Sequence, residues 1–89
     1  MARIHFTQHL AKHVDCPSCE ASGRTVREVL DEALLGNDRL RGYVLDDQRS
    51  LRKHVTIYVD NQMICDRQGL TDPVGETSEV FVLQALSGG

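Results

Sequence analysis

An 89-residue chain with 40% hydrophobic residues, no Trp, two Phe and two Tyr encodes one small domain with an aliphatic core and no room for a deep, enclosed active site. Its formal net charge of −3 and pI of about 5.7 argue against nucleic acid as a partner, because phosphate binding requires a basic footprint. There is no apolar run of membrane-spanning length and no secretory signal pattern, and the three cysteines are an odd count, so the chain is expected to be cytoplasmic, with reduced thiols and no membrane contact.

Taken in order, Arg3-Ile4-His5-Phe6-Thr7 alternates, with Ile4 and Phe6 on one face, and reads as a first strand. Residues 8–15 lack clear periodicity and read as loop. Residues 16–22 read as a second strand, which Pro17 confines to an edge or a bulge. The clearest helix opens at Thr25. Thr25-Val26-Arg27-Glu28 is a capping box, in which Thr25 accepts from the Glu28 amide and Glu28 reaches back. Val26, Val29, Leu30, Ala33 and Leu34 form one apolar stripe, and Gly36 is the C′ residue that ends it.

Residues 37–46 read as a second, shorter helix with Leu40, Tyr43 and Val44 inward, and residues 46–53 as polar loop. Residues 54–60 form a strand with Val55, Ile57 and Val59 on one face and Thr56 and Tyr58 on the other. Asp60-Asn61-Gln62 is a turn and Met63-Ile64-Cys65 a short return strand, which makes a hairpin. Residues 66–79 are loop anchored by Leu70 and Val74, and residues 80–86 are the last strand. The expected architecture is α+β: a mixed sheet of four to five strands packed on one main helix plus a short second helix.

The last strand carries Ser87-Gly88-Gly89 to the end of the sequence. Residues 1–86 are read as the folded domain and residues 87–89 as a flexible tail. Without side chains at its last two positions, such a tail is slim and conformationally free. Its carboxylate is a chemical handle able to reach into a partner's site. By strand parity, Val80 and Val82 face the core, while Phe81 and Leu83 face the open side of the sheet, where Tyr58 joins them. Clustered apolar side chains on a solvated face mark a partner-binding patch, the alternative being that this face packs against the loop from Asp66 to Gly75. Leu86 either joins the partner contact or tucks back onto the sheet.

The order ββαββ(β), the helix opened by Thr25, the hairpin from Val55 to Asn61, and Glu79-Val80-Phe81-Val82-Leu83 leading to Ser87-Gly88-Gly89 resemble the MoaD/ThiS-type sulfur carriers, which are small ubiquitin-like β-grasp proteins. The resemblance spans the chain in element order and is most specific in residues 54–64 and 75–89. It implies a protein that is charged and discharged by other enzymes and catalyses nothing itself. An E1-like adenylyltransferase, using ATP and magnesium, activates the Gly89 carboxylate. Sulfur then replaces the adenylate to give a thiocarboxylate, and a biosynthetic enzyme accepts that sulfur. A metalloprotease that processes the thiocarboxylate or a peptide is a further implied partner, and no cofactor is bound by the carrier. Two features depart from the shortest members: the apolar Leu86 close to the tail, and the longer, more charged residues 45–53, which are more similar to the cysteine-biosynthesis type of carrier. The same activated tail also serves a ubiquitin-like protein modifier or the small subunit of molybdopterin synthase. A β-grasp interaction domain with an idle tail is a further alternative.

His9, His13, Cys16 and Cys19 have acceptable zinc spacing, but four ligands on one contiguous stretch stiffened by Pro17 make a cramped tetrahedron, so no metal is expected. A redox role for Cys16 and Cys19 lacks the helix N-terminus that would lower a thiol pKa. Cys65 is expected to be a packing residue, and His5 and His54 to be exposed. Asp46 and Asp47 read as loop solvation rather than paired catalytic carboxylates.

Overall fold

The computed structural model describes residues 1–7 and 18–84. Five strands, β1 (Ala2–Phe6), β2 (Ser18–Ala21), β3 (Val55–Val59), β4 (Gln62–Met63) and β5 (Glu79–Gln84), form one sheet in the order β2-β1-β5-β3-β4. β1 and β5 run parallel at its centre, and the other neighbours are antiparallel. Ile4, Val55, Ile57, Val80 and Val82 lie on the covered face and are at most 1% exposed. Helices α1 (Val26–Ala33) and α2 (Asp38–Val44) contribute Val26, Val29, Leu30, Leu40 and Val44 to that core. Among the described residues no helix is long and apolar enough to cross a membrane.

α1 starts as the sequence predicts, with Thr25 Oγ1 accepting from Glu28 N at 3.3 Å. Glu28 reaches one residue further back than expected, its Oε1 accepting from Arg24 N at 2.9 Å. The chain enters the helix so closely that a Cβ on Gly23 would lie 2.7 Å from Glu28 Cβ and 2.8 Å from Val29 N. Only glycine fits there, and its φ of 151° also disfavours any side chain. The free amides of the first turn are taken up by the loop before β5: Val26 N donates to Asp72 O at 3.0 Å and Arg27 N to Leu70 O at 2.9 Å. Leu70 and Val74 are buried as predicted and anchor that loop. Gly36 does adopt a left-handed φ of 76°, but beyond the cap residue Leu34, one position later than a C′ glycine.

Other expectations shift. Among the described residues β2 spans Ser18–Ala21, one residue short of the predicted end at Ser22. Tyr43 is not inward: it is 42% exposed, because α2 spans seven residues and buries only Leu40 and Val44, four apart on one face. The β3–β4 turn places Asp60 and Asn61 at φ of 50° and 71°, the two left-handed positions of a tight hairpin. β4 therefore begins at Gln62 and ends at Met63. Ile64 N donates to Ile57 O and the Ile64 side chain turns into the core, which leaves Cys65 exposed, with its N donating to Asp72 Oδ2, rather than packed.

The open sheet face and the two ends of β5 as a candidate docking site

Register aligns one residue from each strand across the open face: Ser18, His5, Phe81, Tyr58 and Met63, in that spatial order. Phe81 and Tyr58 are half-buried, and Met63 is 54% exposed. Leu83, also half-buried, lies one row on beside its partner Thr56. Parity thus brings the predicted Tyr58, Phe81 and Leu83 together, while Val80 and Val82 hold the same strand in the core.

His5 is not the freely exposed residue expected of it. Its ring stacks on Phe81, with centroids 4.5 Å apart and planes 20° from parallel. Nε2 lies 2.8 Å from Glu79 Oε1 and Nδ1 lies 2.8 Å from Ser18 Oγ. A carboxylate only accepts, so Nε2 carries a proton, and Nδ1 shares its hydrogen bond with the Ser18 hydroxyl, which can donate or accept. These bonds fix the ring against Phe81. The alternation of β1 already puts His5 opposite Ile4 and Phe6. Ser18 comes from the antiparallel β1–β2 pairing, and Glu79 and Phe81 from the parallel β1–β5 pairing, which brings together His5 and Glu79, 74 positions apart. Met63 was missed because its side depends on where the short β4 ends. His54 is exposed, as predicted.

At its start, β5 is clamped to the hairpin turn. Asp60 Oδ1 accepts from Glu79 N at 2.9 Å, and Oδ2 accepts from the Ser78 hydroxyl at 2.8 Å. Ser78 is 6% exposed, and its Oγ also accepts from Gly75 N at 2.9 Å. The Glu79 amide, followed by the Ser78 hydroxyl, holds the Asp60 carboxyl below the usual carboxylate range. A second carboxylate, Asp66, organises the loop. Thr71 Oγ1 and the Gly69 amide, with further amides, lower its pKa to about 2. Asp46 Oδ1 caps the amides of Gln48 and Ser50, the loop role expected of it.

Leu86, Ser87, Gly88 and Gly89 lie outside the described residues, as do His9, His13 and Cys16. Cys19 pairs with Ile4 on the helix-covered side and packs against the core. Among the described residues, no group of three or more His, Cys, Asp or Glu side chains is placed to hold a metal ion.

The sequence model of the ThiS family matches residues 8–89. No curated protein matches the chain. Similar solved structures include a chain of the Amycolatopsis orientalis BexX/CysO complex, at 22% identity and a TM-score of 0.85 with 100% of both chains covered. Mycobacterium tuberculosis CysO aligns at 21% identity and a TM-score of 0.81 over 97% of this chain and 100% of that one. Haloferax volcanii SAMP1 aligns at 19% identity and a TM-score of 0.80 over 99% and 98%. At these identities the likeness is one of fold. The family match over nearly the whole length, on a five-stranded mixed sheet packed against two helices, places the chain in the ThiS family: it is a small ubiquitin-like β-grasp sulfur carrier, and not a catalyst.

Proposed function

We propose that Gly89 is the reactive end of the carrier. The Gly89 carboxylate attacks the α-phosphate of ATP held with magnesium by an E1-like adenylyltransferase, and pyrophosphate leaves. The resulting mixed anhydride has AMP as a good leaving group, which a sulfide-level nucleophile displaces to form the C-terminal thiocarboxylate. The partner supplies the magnesium and the charge stabilisation of phosphoryl transfer. The carrier supplies the acyl group and its reach: Gly89 is the fifth residue after Gln84, about 17 Å away if extended.

The observation that carries this reading is the division of labour along β5. Val80 and Val82 fix the strand in the core while Phe81 and Leu83 project to the open face. A partner seated on Phe81, Tyr58 and Leu83 would engage the strand from which Leu86 and Ser87-Gly88-Gly89 continue in sequence. That a protein of this fold, CysO, is solved in complex with BexX supports docking of a second, sulfur-accepting enzyme on the same scaffold. The pathways open to it are biosynthesis of a cofactor, of cysteine or of another sulfur metabolite.

Incubation with ATP, magnesium, an E1-like enzyme and a sulfur donor tests the proposal. Intact mass should rise by the exchange of one oxygen for one sulfur at the C-terminus. Higher-mass conjugates to lysine in place of that gain would instead establish the modifier reading.

A further inference from the structure

The sheet end towards which β5 runs carries a cationic turn of fixed shape. Val55, the first residue of β3, pairs with Gln84, the last of β5, so residues 52–54 lie beside the point where β5 ends. The turn is closed by Val55 N donating to Arg52 O at 3.0 Å. Arg52 N donates to Val44 O at 3.0 Å and Arg52 Nε to Gly42 O at 2.7 Å. From beneath, Arg67 Nη2 donates to Arg52 O and Val55 O, both at 2.7 Å. Lys53 and His54 occupy the two central positions and are exposed, and Leu51 is buried below them. Asp46 lines the same depression. The opposite end of the sheet has the reverse charge. Arg3 sits there in register between Glu20 and Glu79, with Glu76 and Asp60 nearby. A chain of net charge −3 therefore concentrates acids where β5 begins and cations where it ends.

Resting on the reading of Gly89 as the activated end, we propose that the turn of residues 52–55 is an electrostatic guide that brings the carrier tail-first onto an acidic surface flanking the tail channel of its activating enzyme. The occupant is a protein surface rather than a phosphate for two reasons. The depression lined by Arg52, Lys53 and His54 also carries the Asp46 carboxylate, which would repel a phosphate, and the Arg52 guanidinium already donates through Nε to Gly42 O, so the fork is not left whole for a bidentate anion. A phosphate group attacked by the Gly89 carboxylate need not lie at the turn, because residues 85–89 can span up to about 17 Å. Exposed charges of this kind add little to affinity once bound, but they orient the encounter and raise the association rate.

The experiment is steady-state activation of the full chain by its E1-like enzyme at low and high ionic strength. Lys53→Glu is expected to raise KM about three- to tenfold at low salt with kcat unchanged, and to flatten the salt dependence. Lys53→Gln should fall between that variant and the wild type. Arg39→Glu makes the same charge change at an exposed position of α2 and should keep the wild-type KM. Equal KM increases from the Lys53 and Arg39 reversals, no increase from either, or a loss confined to kcat would overturn the guide. If the wild type is charged normally and Lys53→Glu matches it, only the guide fails. If the wild type is never charged, the activated-tail reading itself fails.

Discussion

The two ends of β5 meet the rest of the molecule through different chemistry. Where the strand begins, Ser78 and Glu79 are held by both oxygens of Asp60, and the Ser78 hydroxyl is buried with its donor and acceptor capacity used. Where it ends, Gln84 pairs with Val55 beside an exposed cationic turn, and the remaining residues of the sequence are small or apolar, without charged side chains. Between the ends, alternate residues divide the work, with Val80 and Val82 in the core and Phe81 and Leu83 on the open face. One strand thus separates stability from partner recognition by position along its axis and by parity across it. Substitutions at its start should cost folding and spare the chemistry. Substitutions towards its end and on its open face should do the reverse.

Phe81→Ala breaks that comparison most sharply. It removes the centre of the row between His5 and Tyr58, together with the stack on His5, and an aromatic anchor at the middle of an interface typically contributes about 2 kcal/mol or more. Activation kinetics should show a KM at least about tenfold higher with kcat retained. An unchanged KM would remove the open face from recognition.

Ser78→Ala tests the clamp. It removes the hydroxyl of a residue that is 6% exposed and bonded through it to Asp60 Oδ2 and Gly75 N. Because those two partner residues are themselves exposed, the cost is that of lost hydrogen bonds, about 1 kcal/mol. Urea unfolding should record that loss, while sulfur loading well below the melting temperature stays at the wild-type level. A variant of undiminished stability with impaired loading would invert the assignment.

The smallest effect is expected in acid. The Asp66 pKa falls from 3.8 to about 2 on folding, so its stabilising contribution is complete above the unfolded value and is lost as pH drops through 3.8 towards 2. The Asp60 shift has the same sign. Asp66→Asn should flatten the dependence of the unfolding midpoint on pH in that window and leave neutral-pH loading intact. An acid limb as steep as that of the wild type would show that other groups set it.

Features written in local periodicity were legible in the sequence: the Thr25 cap, the apolar stripe of α1, and the parity that put Phe81, Leu83 and Tyr58 on one face. What escaped reading depended on pairing or on termination. His5 acquires Glu79 and Phe81 only through a parallel pairing with the far end of the chain. Cys65 is exposed rather than packed because a tight Asp60-Asn61 turn started β4 one residue early and ended it at Met63. Tyr43 stayed outside because a seven-residue helix buries one narrow stripe. The polarity along β5 was hidden for the same reason: Lys53 and Glu79 are placed at opposite ends of one sheet only once β3 and β5 are known to run antiparallel.

The account rests most directly on the chemistry of residue 89. Intact mass should be measured for the wild type, Ser78→Ala and a chain lacking Gly89 after incubation with ATP, magnesium, the activating enzyme and a sulfur donor. The prediction is an oxygen-to-sulfur gain in the first two and none in the third. A gain that survives loss of Gly89, or a wild type that gains nothing with any cognate activator, would contradict it.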